Sequence, residues 1–135
     1  MISKIEWQTK YELGIEDIDY QHHFFFNLIT RLANELKEAN NLDYRARIIS
    51  ELNAYARFHF ISEENMMIRS RYPGIEEHKI LHFELIDQLS ARQSMLMIEP
   101  LGKGDEVIVT FLIEWFFHHT MTIDRLFADY LHRKK

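Results

Sequence analysis

The chain has 135 residues, 47% of them hydrophobic, with four glycines, two prolines and no cysteine. That fits a single domain, residues 1–135, with one sizeable core, and it excludes disulfides, thiolate–metal sites and cysteine nucleophiles. A formal net charge of −5 argues against nucleic acid as the main partner. The N-terminal residues 1–7 lack the apolar run of a secretory signal, and no stretch approaches the ~20 apolar residues that span a bilayer. A soluble, cytoplasmic protein is expected, with no membrane contact.

Residues 1–16 read as an arm, with Trp7, Tyr11 and Gly14 but no sustained period. A first helix is predicted from Asp17 to about Ala39, because Ile15, Ile18, His22, Phe25, Ile29, Leu32 and Leu36 recur at three- and four-residue steps. Asn40 and Asn41 favour its end. A second helix runs from about Asp43, an N-cap candidate, to Arg71, with Ile48, Leu52, Tyr55, His59, Glu63 and Met66 as its stripe. Tyr72-Pro73-Gly74 breaks it, since proline disfavours helix at the preceding residue. The third helix spans Ile75 to about Met97, aligning Ile75, His78, His82, Leu85 and Leu89. Glu99 to Gly104 reads as a loop, Asp105 as the cap of a last helix reaching Leu131, and His132 onward as a solvated basic tail. Four long helices over residues 17–131 with short connections imply an all-α, antiparallel up-down-up-down four-helix bundle.

The eight histidines sort by register. His22 shares a face with Ile15, Ile18, Phe25 and Ile29, whereas His23 lies with Glu16, Asp19, Asn27 and Thr30. His119 lies with Ile108, Leu112, Trp115 and Leu126, whereas His118 lies with Phe111, Glu114, Arg125 and Asp129. His22, His59, His78, His82 and His119 therefore point inward, at least one from every helix, and Glu63 shares the face of His59 at i, i+4. A single histidine on an apolar stripe is usually a hydrogen-bonded core residue. Five of them with a buried carboxylate carry a large desolvation penalty, which a pair of metal ions would offset. Asp124 is ambiguous, because five residues beyond His119 is about 140° around an ideal helix.

Imidazole and carboxylate without sulfur suit iron, zinc, copper or manganese better than calcium or magnesium. Seven candidate ligands exceed the four of a closed structural zinc site, so two ions use them better. The spacings His-x-x-x-Glu and His-x-x-x-His differ from the Glu-x-x-His motif of ferritin-like di-iron bundles.

The residues that carry chemistry also carry a resemblance. Trp7, Gly14-Ile15, Ile18 to His22, His59 to Met66, Tyr72-Pro73, His78 to His82, and Trp115 to His119 with Asp124 resemble the hemerythrin family, in its single-domain bacterial form, over nearly the whole chain. The resemblance implies a non-haem di-iron centre: His78, His82 and His119 on one iron, His22 and His59 on the other, Glu63 and Asp124 bridging. With a bridging oxo or hydroxo group, one position stays open beside His22 and His59. It implies reversible dioxygen binding there, for storage, delivery or sensing, and not an enzyme. Nitric oxide and small anions such as azide are further expected ligands, and no partner protein is indicated. By register, Phe25, Trp115, Phe116 and Ile123 line the pocket, and Thr120 stands where the family commonly has an aliphatic residue. The alternatives are an oxidoreductase acting on peroxide or nitric oxide, or a metal depot.

Overall fold

Apolar residues recurring every three to four positions can be buried only if each helix turns its stripe toward the others. The structure, a computed structural model, describes residues 6–38, 41–96 and 105–134. It contains α1 (Glu16–Glu38), α2 (Leu42–Arg69), α3 (Ile75–Leu96) and α4 (Asp105–His118), the last running through a π-helical turn (His119–Asp124) into α5 (Arg125–Lys134). A single 3-10 turn, Thr9–Tyr11, precedes them, and no strand occurs among the described residues.

Cross-helix pairs show that neighbours run antiparallel. Gln21 meets Ser62 while Arg31 meets Glu51 on α1 and α2, and Glu64 meets His82 while Ala46 meets Gln93 on α2 and α3. The fourth helix closes the bundle, with Phe25 against Phe116 near one level and Leu13 against His132 at the end. This is the up-down-up-down four-helix bundle that the periodicity implies. No helix among the described residues is long and apolar enough to cross a membrane.

Local chemistry sets the helix ends, in two places differently from expectation. Asn41, not Asp43, caps α2: its side-chain oxygen accepts from the Tyr44 amide at 3.0 Å, and Asp43 occupies the first turn. The α2 helix stops at Arg69, before the Tyr72-Pro73 step is reached. There Arg71 adopts φ of 56°, the Tyr72 amide bonds to Met67 O at 2.9 Å, and the Arg71 amide bonds to Ile68 O at 3.1 Å. That is a Schellman closure with an arginine in the left-handed position where glycine is usual. Tyr130 and Lys134 of α5 donate to the Ser70 carbonyl and hold the turn down. The expected helix stop at Asn40, the loop from Glu99 to Gly104 and the Asp105 cap lie outside the residues or side chains described.

The described part of the arm is anchored to the bundle. Leu13 and Tyr11 are buried, and Asp19 accepts from the amides of Leu13 and Gly14 at 2.7 and 3.0 Å. His132, expected to be solvated, is exposed at its edge yet places Nε2 2.9 Å from Leu13 O. Gly14 turns with φ of 80°, and a Cβ there would press on the His132 ring at 3.1 Å.

Two apolar clusters fill the interior. The larger joins Phe25, Leu32, Leu52, Leu85, Leu112 and Phe116, and the smaller joins Leu13, Ile18, Met67, Phe127 and Ala128. Met67, rather than its neighbour Met66, is the fully buried methionine of α2. Between the clusters, at the level where Ile18 gives way to Phe25 and Phe116 to Phe127, lies a layer of polar side chains.

Candidate metal centre

That layer consists of His22, His59, Glu63, His78, His82, His119 and Asp124, none more than 3% exposed. The α1 helix contributes His22, α2 His59 and Glu63, α3 His78 and His82, and the fourth helix His119 and Asp124. The i, i+4 spacing aligns the pairs on α2 and α3. The pair on the fourth helix needs a different device. A π turn closes i to i+5 hydrogen bonds, so it brings the residue five positions on back toward the same face. It thereby turns Asp124 inward beside His119, where 3.6-residue periodicity would have carried it away.

The turn also shifts everything beyond it by one residue. Leu126, expected on the His119 face, is 56% exposed, and Phe127 is fully buried in its place. The inward position that an α-helix would give Ile123 goes to Asp124. Consequently Ile123 does not border the cavity next to His22 and His59, while Phe60, which register had not singled out for it, does. Phe25, Trp115, Phe116 and Thr120 line that cavity. His23 and His118 are exposed, and His23 stacks on Trp7 with ring centroids 4.8 Å apart.

Distances divide the seven side chains into two overlapping groups. Glu63 Oε1 lies 3.0 Å from His78 Nε2 and 3.2 Å from His82 Nε2, and Asp124 Oδ1 lies 2.9 Å from His78 Nε2 and 3.0 Å from His119 Nε2. The other oxygens face the other way. Asp124 Oδ2 lies 3.0 Å from His22 Nε2, and Glu63 Oε2 lies 3.7 and 3.8 Å from the Nε2 atoms of His22 and His59. Each carboxylate thus offers one oxygen to a three-histidine group and one to a two-histidine group.

Four further side chains orient the rings. His59 Nδ1 donates to Gln21 Oε1 at 2.8 Å, and Gln21 is itself fixed by Ser62 and by Tyr55, whose hydroxyl donates to the Gln21 carbonyl. His82 Nδ1 donates to Glu64 Oε2 at 2.8 Å. With Nδ1–H engaged, Nε2 is left as a lone pair aimed inward, the tautomer a metal ligand needs. Phe60 stacks on His82 at 3.9 Å and Trp115 on His119 at 4.3 Å, which fixes those ring planes. Gln21 and Glu64 escape sequence reading because they sit on the helix seams, where no periodicity marks them.

Protonation follows from this crowding. Burial pushes His22 down, but Asp124 and Glu63 outweigh it and raise the imidazole to about 9. His78 reaches about 9 for the same reasons. Burial pushes His59 down to about 3, with Glu63 only partly opposing it. Glu63 and Asp124 are driven up by burial, yet the histidines around them hold both below the ordinary carboxylate range.

The cluster fits a pair of metal ions better than it fits a hydrogen-bond network. Both oxygens of Glu63 and of Asp124, and both nitrogens of His22, are buried without a hydrogen-bond partner among the described residues, although several lie close to one another. Such orphaned polar groups are costly in a dry core. The Nε2 atoms of His78, His119 and His82 approach each other at 3.1 and 3.2 Å. Lone pairs converging on one point have that spacing: nitrogens about 2.1 Å from a common ion at right angles stand roughly 3 Å apart.

An all-α bundle whose core holds two histidine groups sharing two carboxylates defines a non-haem, two-metal bundle protein. The family model described as "Hemerythrin HHE cation binding domain" matches residues 13–131. The chain is similar to a bacteriohemerythrin of Clostridium acetobutylicum, 28% identical over 91% of this chain and 98% of that one. It is also similar to a myohemerythrin of Riftia pachyptila, 23% identical over 87% of this chain and 86% of that one. A hemerythrin subunit 1 of Golfingia vulgaris is 30% identical over 87% of this chain and 85% of its own length. The chain belongs to the hemerythrin family. That family binds a di-iron centre and consists of oxygen-binding proteins that are generally not enzymes, and the buried histidine and carboxylate cluster here is suited to iron.

Proposed function

We propose that this protein binds dioxygen reversibly at a di-iron centre, in a storage, delivery or sensing role. His78, His82 and His119 would hold one iron and His22 and His59 the other, with Glu63 and Asp124 shared between them. The observation that carries the reading is the unequal division of imidazoles, three against two, around a shared pair of carboxylates. With an oxo or hydroxo bridge from solvent, the poorer side is one ligand short. Both of its histidines border the cavity lined by Phe25, Phe60, Trp115 and Phe116, which His119 of the other group also reaches.

The iron pair supplies the two electrons that dioxygen takes up on binding and returns on release. The chain supplies the surroundings. The aromatic walls exclude water, which would otherwise bring protons to the bound ligand and drive the iron irreversibly to its oxidised form. Among the residues lining the cavity, no carboxylic acid stands free of the cluster to act as a proton donor, which favours binding over turnover. Nitric oxide and small anions such as azide compete for the same position.

The test is a cycle on the diferrous protein prepared without air. Admitting dioxygen should produce a visible absorption band that argon removes and fresh dioxygen restores. Bleaching on the first exposure with consumption of added peroxide or nitric oxide would assign an oxidoreductase. Zinc in the isolated protein and no colour would assign a metal depot.

A further inference from the structure

The outer face of the bundle opposite the fourth helix is unusually apolar. Phe58, Ile61 and Ile68 follow one another at helical spacing along the solvent side of α2, directly behind His59 and Glu63. Phe24 of α1 borders them on one flank, joined through Tyr55, whose ring lies 4.8 Å from Phe24 and 5.8 Å from Phe58. Phe83 and Ile80 of α3 border them on the other, at the level where Glu64 meets His82. These six side chains are each between 56% and 71% exposed.

Large aromatic side chains present 150–250 Å² each, so three phenylalanines and three isoleucines at this exposure leave roughly 700 Å² of apolar surface. A monomer's largest apolar patch is typically about 300–600 Å², whereas each partner in a stable interface contributes about 800 Å². The edges of the face carry both signs of charge, with Arg57 and Lys79 beside Glu84 and Asp87, all exposed. A lipid surface selects a flank dominated by lysine and arginine, which this is not. A face that is apolar in the middle and mixed in charge at its rim is complementary to itself under a two-fold rotation.

We infer that the α1–α2–α3 face, centred on Ile61, is the interface of a two-fold homodimer of this chain. The test is sedimentation velocity on the full, iron-loaded protein from about 5 µM to about 500 µM. A concentration-dependent monomer–dimer equilibrium is expected. Ile61→Glu combined with Phe83→Glu should remain monomeric throughout, with unchanged helical circular dichroism and unchanged iron content. Because the protein has no cysteine, Ile61→Cys also provides a single thiol on the face. It should cross-link through a short bismaleimide, whereas Glu114→Cys on the far helix should not. A wild type that stays monomeric, a double variant that still dimerises, or cross-linking through Glu114→Cys alone would each overturn the assignment. So would a monomer that floats with vesicles of phosphatidylcholine and phosphatidylglycerol, which would point to a lipid surface instead.

Discussion

Loading iron into this protein should expel protons, and the number is set by the polar layer. Without metal, two ionised carboxylates face one another in a core from which water is excluded, and His22 and His78 balance them by holding protons up to about 9. At pH 7 both imidazoles are therefore about 99% charged. A metal accepts only the neutral form, so binding must displace both protons. His22 and His78 alone should release about two protons per chain at pH 7, to which His82, also raised, despite burial, by Glu63 and Glu64, and the bridging solvent can only add. The release from His22 and His78 should fall by about one between pH 7 and pH 9, where each is half titrated. These two histidines should correspondingly add about a hundredfold per pH unit to the apparent affinity in the neutral range, over any slope from the bridging solvent, and that added slope should vanish above pH 9. Anaerobic ferrous titrations in weakly buffered solution with an indicator dye measure this directly. The difference between two pH values removes the constant contribution of solvent. Equal release at pH 7 and pH 9, or none at either, would refute the charge balance argued here.

Other consequences are as direct. Stability of the metal-free protein should peak near pH 6.5: His22 and His78 contribute fully below that value and lose their contribution as pH rises through about 9, while His59, held near 3, costs stability as pH falls below 6.5 and the two carboxylates add to that loss only once pH falls below the ordinary carboxylate range. Melting temperature against pH, with and without iron, checks it, and the loaded protein should lose the alkaline decline. Thr120→Ile, which replaces a buried hydroxyl on the cavity wall by a hydrocarbon, should slow autoxidation in stopped-flow decay of the oxygenated form; unchanged or faster decay would count against a proton-donating role. His118→Ala and His23→Ala should each keep two irons per chain by metal analysis, since both rings lie outside the cluster. Phe127→Ala should destabilise the metal-free protein by about 3–5 kcal/mol and Leu126→Ala by under about 0.5 kcal/mol in urea unfolding, and similar costs for the two would deny the phase shift at the π turn.

The residues show where sequence reading works and where it stops. His22 separates from His23, and His119 from His118, because α-helical register holds along α1 and along α4 through Ile108, Leu112 and Trp115, although it does not hold for Leu126 beyond the π turn. The i, i+4 pairs on α2 and α3 fall into place for the same reason. Arg71 illustrates the opposite case. A left-handed arginine has no compositional mark, so Pro73 looks like the helix breaker although the backbone has already turned through Arg71. Gln21 and Glu64 were hidden differently, since a seam residue that orients a neighbour's imidazole obeys no hydrophobic period.

Asp124 is the instructive failure of period, because the failure leaves a trace. An uninterrupted α-helix through Ile108, Leu112 and His119 would bury Leu126 and turn Asp124 aside, yet the residue with the bulk to close the lower core is Phe127, one place late. A single-residue slip in an apolar stripe is what an inserted π turn produces. The slip was present in the sequence, and it falls between His119 and Asp124, the two side chains that must meet. A π turn weakens local hydrogen-bond geometry, so a helix keeps one only where something outweighs that loss. In this chain it turns inward the carboxylate that faces both histidine groups at once, and without it Glu63 would face them alone.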